Sequence, residues 1–229
     1  NRRQRQMCIR DSVDQNYFSN FNQTLDDGRT KLFNDDQFNN DVDFSFKDLY
    51  FALNYRIRTG IFTIDPGLTL HFYDNNNTQL GQTFAKDISD IRPNLRVNMQ
   101  FKKNENLRFT YRKNTQFTDV NNISEGYVFN NYNSIFRGNR ELEAAIVNSY
   151  NLNYRSINQF TFTNVYSNIS YSKRENSIQS RAAIDGINSV RTADNSIFPR
   201  ETYSARARLD RRFKNCLLYT SPSPRDNPA

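Results

Sequence analysis

The stretch IRPNLRVNMQFKKNENLRFTYR, Ile91–Arg112, decides the fold. Ile91, Pro93, Leu95, Val97, Met99 and Phe101 alternate with Arg92, Asn94, Arg96, Asn98 and Gln100. After a polar turn, Leu107, Phe109 and Tyr111 alternate with Arg108, Thr110 and Arg112. A period of two is the mark of a strand. The pair reads as an antiparallel hairpin with one apolar face and one face of arginine and amide side chains.

The same alternation continues on both sides. Upstream, Phe51, Leu53, Tyr55 and Ile57 form one apolar row, and Phe62, Ile64, Leu68, Leu70 and Phe72 another. Downstream come Tyr150, Leu152 and Tyr154, then Ile169 and Tyr171, then Tyr203, Ala205, Ala207, Leu209 and Phe213. Phe160 and Phe162 fall out of phase with Ile169, which predicts a bulge near Asn164. Seven strands result. Arg58–Ile61, Lys102–Asn106 and Ser156–Gln159 read as short turns. Asp74–Asp90, Asn114–Asn148, Lys173–Arg200 and the leading Asp14–Asp43 read as long loops. Within the second of these, Asn139–Val147 has some helical character but reads as loop.

Strict alternation of short turns with long loops is the layout of an outer-membrane barrel. The predicted fold class is all-β: an antiparallel up-and-down meander, a partial transmembrane β-barrel with about seven strands of a larger one. The runner-up is a soluble, secreted β-sandwich used for binding or adhesion, in which a second sheet covers the apolar face. The long loops and the mid-strand arginines favour the barrel. Aromatic residues near strand ends (Tyr50, Phe51, Phe72, Tyr73, Phe101 and Tyr171) suit interfacial girdles.

Composition removes other classes. Of 229 residues, 36% are hydrophobic and 14% aromatic, and mean hydropathy is −0.86. No run approaches the roughly 20 apolar residues of a membrane helix. Seven Gly and six Pro exclude collagen-like chains, and the aromatic content excludes simple disorder.

The two ends read differently from the middle. RRQRQMCIRDS (Arg2–Ser12) and CLLYTSPSPRD (Cys216–Asp226) match the translation of a transposase-type sequencing adapter, in opposite orientations. Residues 1–12 and 216–229 are therefore expected to be adapter-encoded artefacts, and residues 13–215 a fragment of the barrel domain. The first segment carries four arginines and one aspartate, and the second one of each. Without them the net charge falls from +7 to +4 and both cysteines, Cys8 and Cys216, disappear. Thiol, disulfide and nucleic-acid readings lose their basis.

The chemistry left is charge placement. Arg56, Arg92, Arg96, Arg108, Arg112, Arg155, Arg206, Arg208 and Arg212 all fall on the non-lipid face, since charge on the lipid face is costly. They pair with carboxylates of other parts of the barrel or form a basic lumen for anionic solutes. Tyr127, Phe129, Tyr132 and Phe136 form an aromatic run in the longest loop, suited to gripping a ligand or to packing loops together. His71, the only histidine, reads as a lumen or rim side chain. Asn34–Asp43 loosely resembles an oxygen-rich calcium loop without its glycine and final glutamate. No nucleophile elbow, Walker loop or dinucleotide fingerprint occurs, so no enzyme, cofactor or metal site is expected.

Ile91–Asn122 resembles the TonB-dependent receptor superfamily, in its outer-membrane β-barrel family: a proline-containing strand, a Lys/Asn-rich turn and an LRFTYR-like strand lead into a long loop. That loop's Gly-Asn-Pro element has its counterpart in GNRELEAAIVNSYNLNYR (Gly138–Arg155). Gly138, Asn139, Leu142 and Tyr154 match, whereas Arg140 and Ala144 replace two prolines. The resemblance implies a 22-stranded barrel in the outer membrane of a Gram-negative bacterium, contacting outer-membrane lipid and closed around a plug domain. It implies ligand capture and energy-coupled uptake of a bulky nutrient such as a metal chelate, glycan or peptide. The implied partners are a TonB-type energy-coupling complex and a surface lipoprotein. A plugless porin-like barrel is the further alternative.

Overall fold

The computed structural model describes residues 4–20, 22–32, 39–131, 133–185 and 188–212. Tyr132, Phe213 and the adapter-like segment 216–229 lie outside them. In chain order the first strands are β1 Gln4–Ser19, β2 Asn22–Thr24, β3 Thr30–Leu32, β4 Asn40–Tyr55, β5 Ile57–Thr59, β6 Phe62–Gln79, β7 Gln82–Lys102 and β8 Glu105–Gln116. A short helix, α1 (Val120–Ile123), follows, then β9 Tyr127–Asn131 and β10 Ser134–Arg137. The rest are β11 Ala145–Asn158, β12 Thr163–Glu175, β13 Ile178–Asp185, β14 Asn188–Asn195 and β15 Arg200–Arg211.

One antiparallel sheet carries the order β1-β4-β6-β7-β8-β11-β12-β15, with β5 continuing β4 alongside β6. Every step joins strands adjacent in this meander. All seven expected strands are present, and β1 adds an eighth. Its backbone pairs with β4 from Gln4 opposite Tyr55 to Ser19 opposite Asn40. Asp14–Ser19 therefore belongs to a strand, where a loop was expected. The sheet does not close on itself, as a segment of a larger barrel requires.

Register fixes the two faces. Ile64, Val97, Phe109, Leu152, Ile169 and Ala205 form one cross-sheet row. Next to it runs Leu95, Tyr111, Tyr150, Tyr171 and Tyr203, whose four tyrosine rings stack in sequence at 4.8, 5.7 and 4.7 Å between centroids. Nothing among the described residues covers this face: Ile91 is 56% exposed, Ile169 53% and Leu209 66%. A sandwich would bury these side chains under a second sheet, so the face is built for lipid. On β7 the apolar row runs from Ile91 to Phe101, matching the roughly 9–11 residues of a membrane-spanning strand. The tyrosine row marks the outer edge of the band on β8, β11, β12 and β15. On β4 and β6 the band reaches up to Leu49 and Phe72, opposite Ser89. The band thus crosses the sheet obliquely, as strand tilt in a barrel demands. Of the expected girdle, Phe51, Phe72, Phe101 and Tyr171 lie on this face. Tyr50 and Tyr73 share the opposite face with His71 and Asp90, because one-residue steps reverse the side.

Three further expectations are corrected. Asp74–Asp90 is not a loop. It is the outer part of β6 and β7, joined at Leu80–Gly81 with φ of 52° and 73°, the left-handed pair of a two-residue hairpin turn. The bulge near Asn164 is absent: β11 and β12 pair without a shift, and Phe160 and Phe162 sit in the preceding turn. In the main sheet a register shift falls instead between Gln100 and Lys102. Finally, the two longest loops fold together. β13, β14, β10 and β9 form a separate four-stranded sheet in which β10 and β14 run parallel. The helical turn lies at α1, before the segment considered for it, and Ala145–Val147 already belongs to β11.

Candidate functional site

The face opposite the apolar band holds the expected arginines. Arg96, Thr110, Asn151, Ser170 and Ser204 make one row, and Asn98, Arg108, Asn153, Asn168 and Arg206 the next. Amide side chains tie adjacent strands together here. The Asn168 Nδ2 donates to the Oδ1 atoms of Asn151 and Asn153 at 2.9 and 2.7 Å, and Ser170 and Ser204 share a hydrogen bond of 2.7 Å. The abundance of asparagine in this chain thus has a structural use on a wetted strand face.

The arginines fall into two groups. Arg56, Arg92, Arg96 and Arg112 border a concavity of about 640 Å³ with His71 and Asp65. Arg108, Arg155, Arg206 and Arg208 border a second of about 460 Å³ with Tyr166. Some are already neutralised. Arg56 grips Asp65 through two bonds of 2.5 and 3.0 Å, and Arg208 pairs with Asp210 at 2.9 Å. Arg155 lies over the Tyr166 ring at 6.0 Å. Arg212 lies over the ring of Phe162, at the turn. Among the described residues, no carboxylate lies within ion-pair distance of Arg96, Arg108, Arg112 or Arg206.

At the outer end, one aspartate organises the wall. Asp90 accepts from Arg92 Nε at 2.8 Å, from Lys113 Nζ at 3.0 Å and from the Thr115 hydroxyl. Arg92 also donates to the Tyr73 hydroxyl. This knot sits where β7 and β8 part company, since their pairing stops at Asn94 and Arg112. Beside it His71, 8% exposed, faces Asp48 through Nδ1 at 3.0 Å and stacks on Tyr73. The lone histidine is held by a carboxylate and two tyrosine rings.

Above the knot, α1 and its flanks tuck against the inner faces of β4 and β6. The Gln79 amide clamps them, donating to the Ile123 carbonyl at 3.1 Å and accepting from the Glu125 N–H at 3.0 Å. Phe117 packs edge-on against Tyr73. Gly138 donates its N–H to the Ser124 carbonyl, and a Cβ there would meet that oxygen at 2.5 Å, so only glycine fits. Asn139 then caps the turn by accepting from the Glu141 N–H. The Gly-Asn pair of the sequence is therefore a docking point between two loop segments. Arg140, where a proline was expected, pairs with Glu125.

The aromatic run is dispersed. Tyr127 and Phe129 lie on β9 and Phe136 on β10; Tyr127 carries the Arg137 guanidinium over its ring at 5.7 Å, while Phe129 is 48% exposed. The two strands form a hairpin in which Phe136 stands opposite Val128. Of the calcium-like stretch, residues 34–38 lie outside the described set. Asn40–Asp43 belongs to β4, with Asn40 and Val42 buried and Asp41 and Asp43 exposed on the other side. Alternation sends those oxygens to opposite faces. The carboxylates that matter most here, Asp48, Asp65 and Asp90, were missed because sequence alone does not reveal cross-strand register.

The model of the outer membrane protein beta-barrel family matches residues 9–201. No curated protein matches the chain. Among solved structures, the chain is similar to the hemophore receptor HasR of Serratia marcescens, solved as a double mutant with its hemophore HasA and heme. Identity is 13%, the TM-score is 0.57, and the match covers 90% of this chain and 38% of that one. The siderophore receptor PirA of Acinetobacter baumannii is a further neighbour, with 8% identity, a TM-score of 0.45 and coverage of 92% and 40%. The chain therefore spans well under half the length of these receptors. With its family match, lipid-facing band and inner polar face, this chain belongs to the outer membrane protein β-barrel family and forms barrel wall in a Gram-negative outer membrane.

Proposed function

We propose that this chain is wall from a TonB-dependent receptor that captures a bulky nutrient and takes it up with energy coupling. The observation that carries this reading is the set of unpaired inner arginines, Arg96, Arg108, Arg112 and Arg206. Like charges on neighbouring strands repel, and the one carboxylate opposite them, Asp65 across from Arg96, is already held by Arg56. Acidic side chains of a plug domain held inside the barrel would supply one, and TonB-type coupling acts through such a plug. HasR, which shares the fold, is a hemophore receptor, so a bulky ligand suits the architecture.

Cells expressing the complete receptor test the reading. Collapse of the proton-motive force is expected to lower nutrient uptake at least tenfold while leaving surface binding intact. Uptake indifferent to the uncoupler would make the protein a passive porin-like barrel. Changing the four arginines to glutamine is expected to loosen the plug and lower the inhibitory concentration of vancomycin at least fourfold. If vancomycin resistance holds and only anionic solutes are lost, the arginines serve the solute and not a plug.

A further inference from the structure

Where β7 leaves β8 above the membrane band, the wall opens into a pocket of about 520 Å³, within the range that holds a small ligand. Phe44, Phe84, Phe117, Ile123 and Leu142 supply apolar walls. Among the residues lining it, three polar atoms are buried without a hydrogen-bond partner: the side-chain oxygens of Asn75 and Asn77 and the Nε of Arg140. Asn77 is only 4% exposed. Nearly all buried polar atoms find partners, and an orphan is destabilising. Gln79, two residues from Asn77, satisfies both ends of its amide. Three orphans around one pocket therefore point to a ligand that completes them.

Charge narrows the class. The lining holds three cations (Lys86, Lys113 and Arg140) and three anions (Asp90, Glu141 and Glu143), so it favours no net charge. Arg140 already has Glu125, and Asp90 already has Arg92 and Lys113. What remains is two amide oxygens, one N–H, the mutually offsetting Lys86, Glu141 and Glu143, and a Phe84 ring that is 41% exposed. Hydroxyls both donate and accept, and the C–H face of a sugar ring packs on an aromatic face.

We propose that this pocket binds a neutral saccharide unit, with its hydroxyls on Asn75, Asn77 and Arg140 and its ring face on Phe84. The assignment deepens the uptake reading and rests on it, naming glycan as the nutrient class. A metal chelate or an anionic sugar would meet one cation outside an ion pair, Lys86, offset by the carboxylates of Glu141 and Glu143.

The test uses the complete receptor in outer-membrane vesicles, titrated by calorimetry with maltotriose, cellotriose, xylotriose and mannotriose, beside trialanine and trigalacturonate. At least one neutral trisaccharide is expected to bind. Phe84→Ala, a change at an exposed ring, and Asn77→Leu are each expected to weaken that binding at least tenfold. Should Asn77→Leu fail to reach the membrane, Phe84→Ala alone decides. No binding by any neutral sugar, binding of trialanine or trigalacturonate instead, or sugar binding unchanged in Phe84→Ala each overturns the proposal. Energy-dependent uptake of some other solute would then leave the receptor reading standing. Sugar binding with uptake indifferent to the uncoupler would remove the coupled-uptake reading and keep the pocket.

Discussion

Arginine at Val97 is expected to cost about 2–4 kcal/mol of folding stability in a bilayer, whereas arginine at Asn98, opposite Arg108 but in water, costs less than about 1 kcal/mol. The two positions are neighbours on β7, yet they face opposite solvents. Val97 stands in the row of Ile64, Phe109, Leu152 and Ile169, near the middle of the Ile91–Phe101 band. A guanidinium there must leave water or distort the lipid. Asn98 lies in the row of Arg108, Asn153 and Arg206, among groups that already hold charge and amides. Urea titration of the receptor folded into lipid vesicles reads the difference. Equal losses at both sites would mean that neither face meets lipid.

Asp90→Ala is expected to be the most damaging single change at the outer end, costing about 1–3 kcal/mol of local stability by leaving two partly buried cations without their anion. The Asp90 side chain is 10% exposed, and Arg92 and Lys113 are 19% and 24% exposed. No backbone pairing joins β7 to β8 beyond Asn94, so the strands are tied there by side chains: Lys113 and Thr115 donate across to Asp90, beside the Lys113–Ile91 and Arg92–Thr115 carbonyl bonds. The lesion should be local: amide exchange should quicken near Ile91 and Lys113 but not near Val97. Acid should imitate it. Burial alone would raise the Asp90 carboxyl, but hydrogen bonds from Thr115, Arg92 and Lys113 outweigh it and bring it down to about 2. Its folded value lies below the unfolded one, so its contribution is complete above about pH 4 and is lost as pH falls toward 2. Outer-end exchange that stays slow through that window would contradict the knot's role.

The lipid-facing part of the fold was legible because one of its two faces must be apolar. Ile91–Phe101 and Leu107–Tyr111 announce their period, and the short turns beside them leave one meander. Above the band that signal fades. The inner face of Asn75–Gln79 and Gln82–Asp90 meets the folded loops and mixes Asn75, Asn77 and Gln79 with Phe84 and Ile88, so alternation carries no clean apolar mark and the segment read as a loop. The left-handed Leu80–Gly81 turn was the signal available, though leucine conceals it. The parallel pairing of β10 with β14 joins residues from two separate loops and leaves no local trace.

The arginines were legible by face but not by partner. Alternation puts Arg92 and Arg96 on one side, and only register shows that Arg92 meets Asp90 and Tyr73 while Arg96 stands opposite Asp65 and Thr110. The outer pocket was not legible at all. Asn75 and Asn77 looked like loop asparagines, and their orphaned oxygens appear only once β6, β7 and the α1 segment are assembled.

Alternating lipid and water access along the strands tests the central claim most directly. Single cysteines at Val97, Asn98, Leu152, Asn153, Asn168 and Ile169 would carry a spin label in the membrane-embedded receptor, whose wall between residues 13 and 215 has no cysteine of its own. Collisions with dissolved oxygen and with a water-soluble nickel chelate would be compared at each site. The structure predicts oxygen-dominated collisions at Val97, Leu152 and Ile169 and chelate-dominated collisions at Asn98, Asn153 and Asn168. Labels that show no such alternation, or show it in the opposite phase, would contradict a barrel wall.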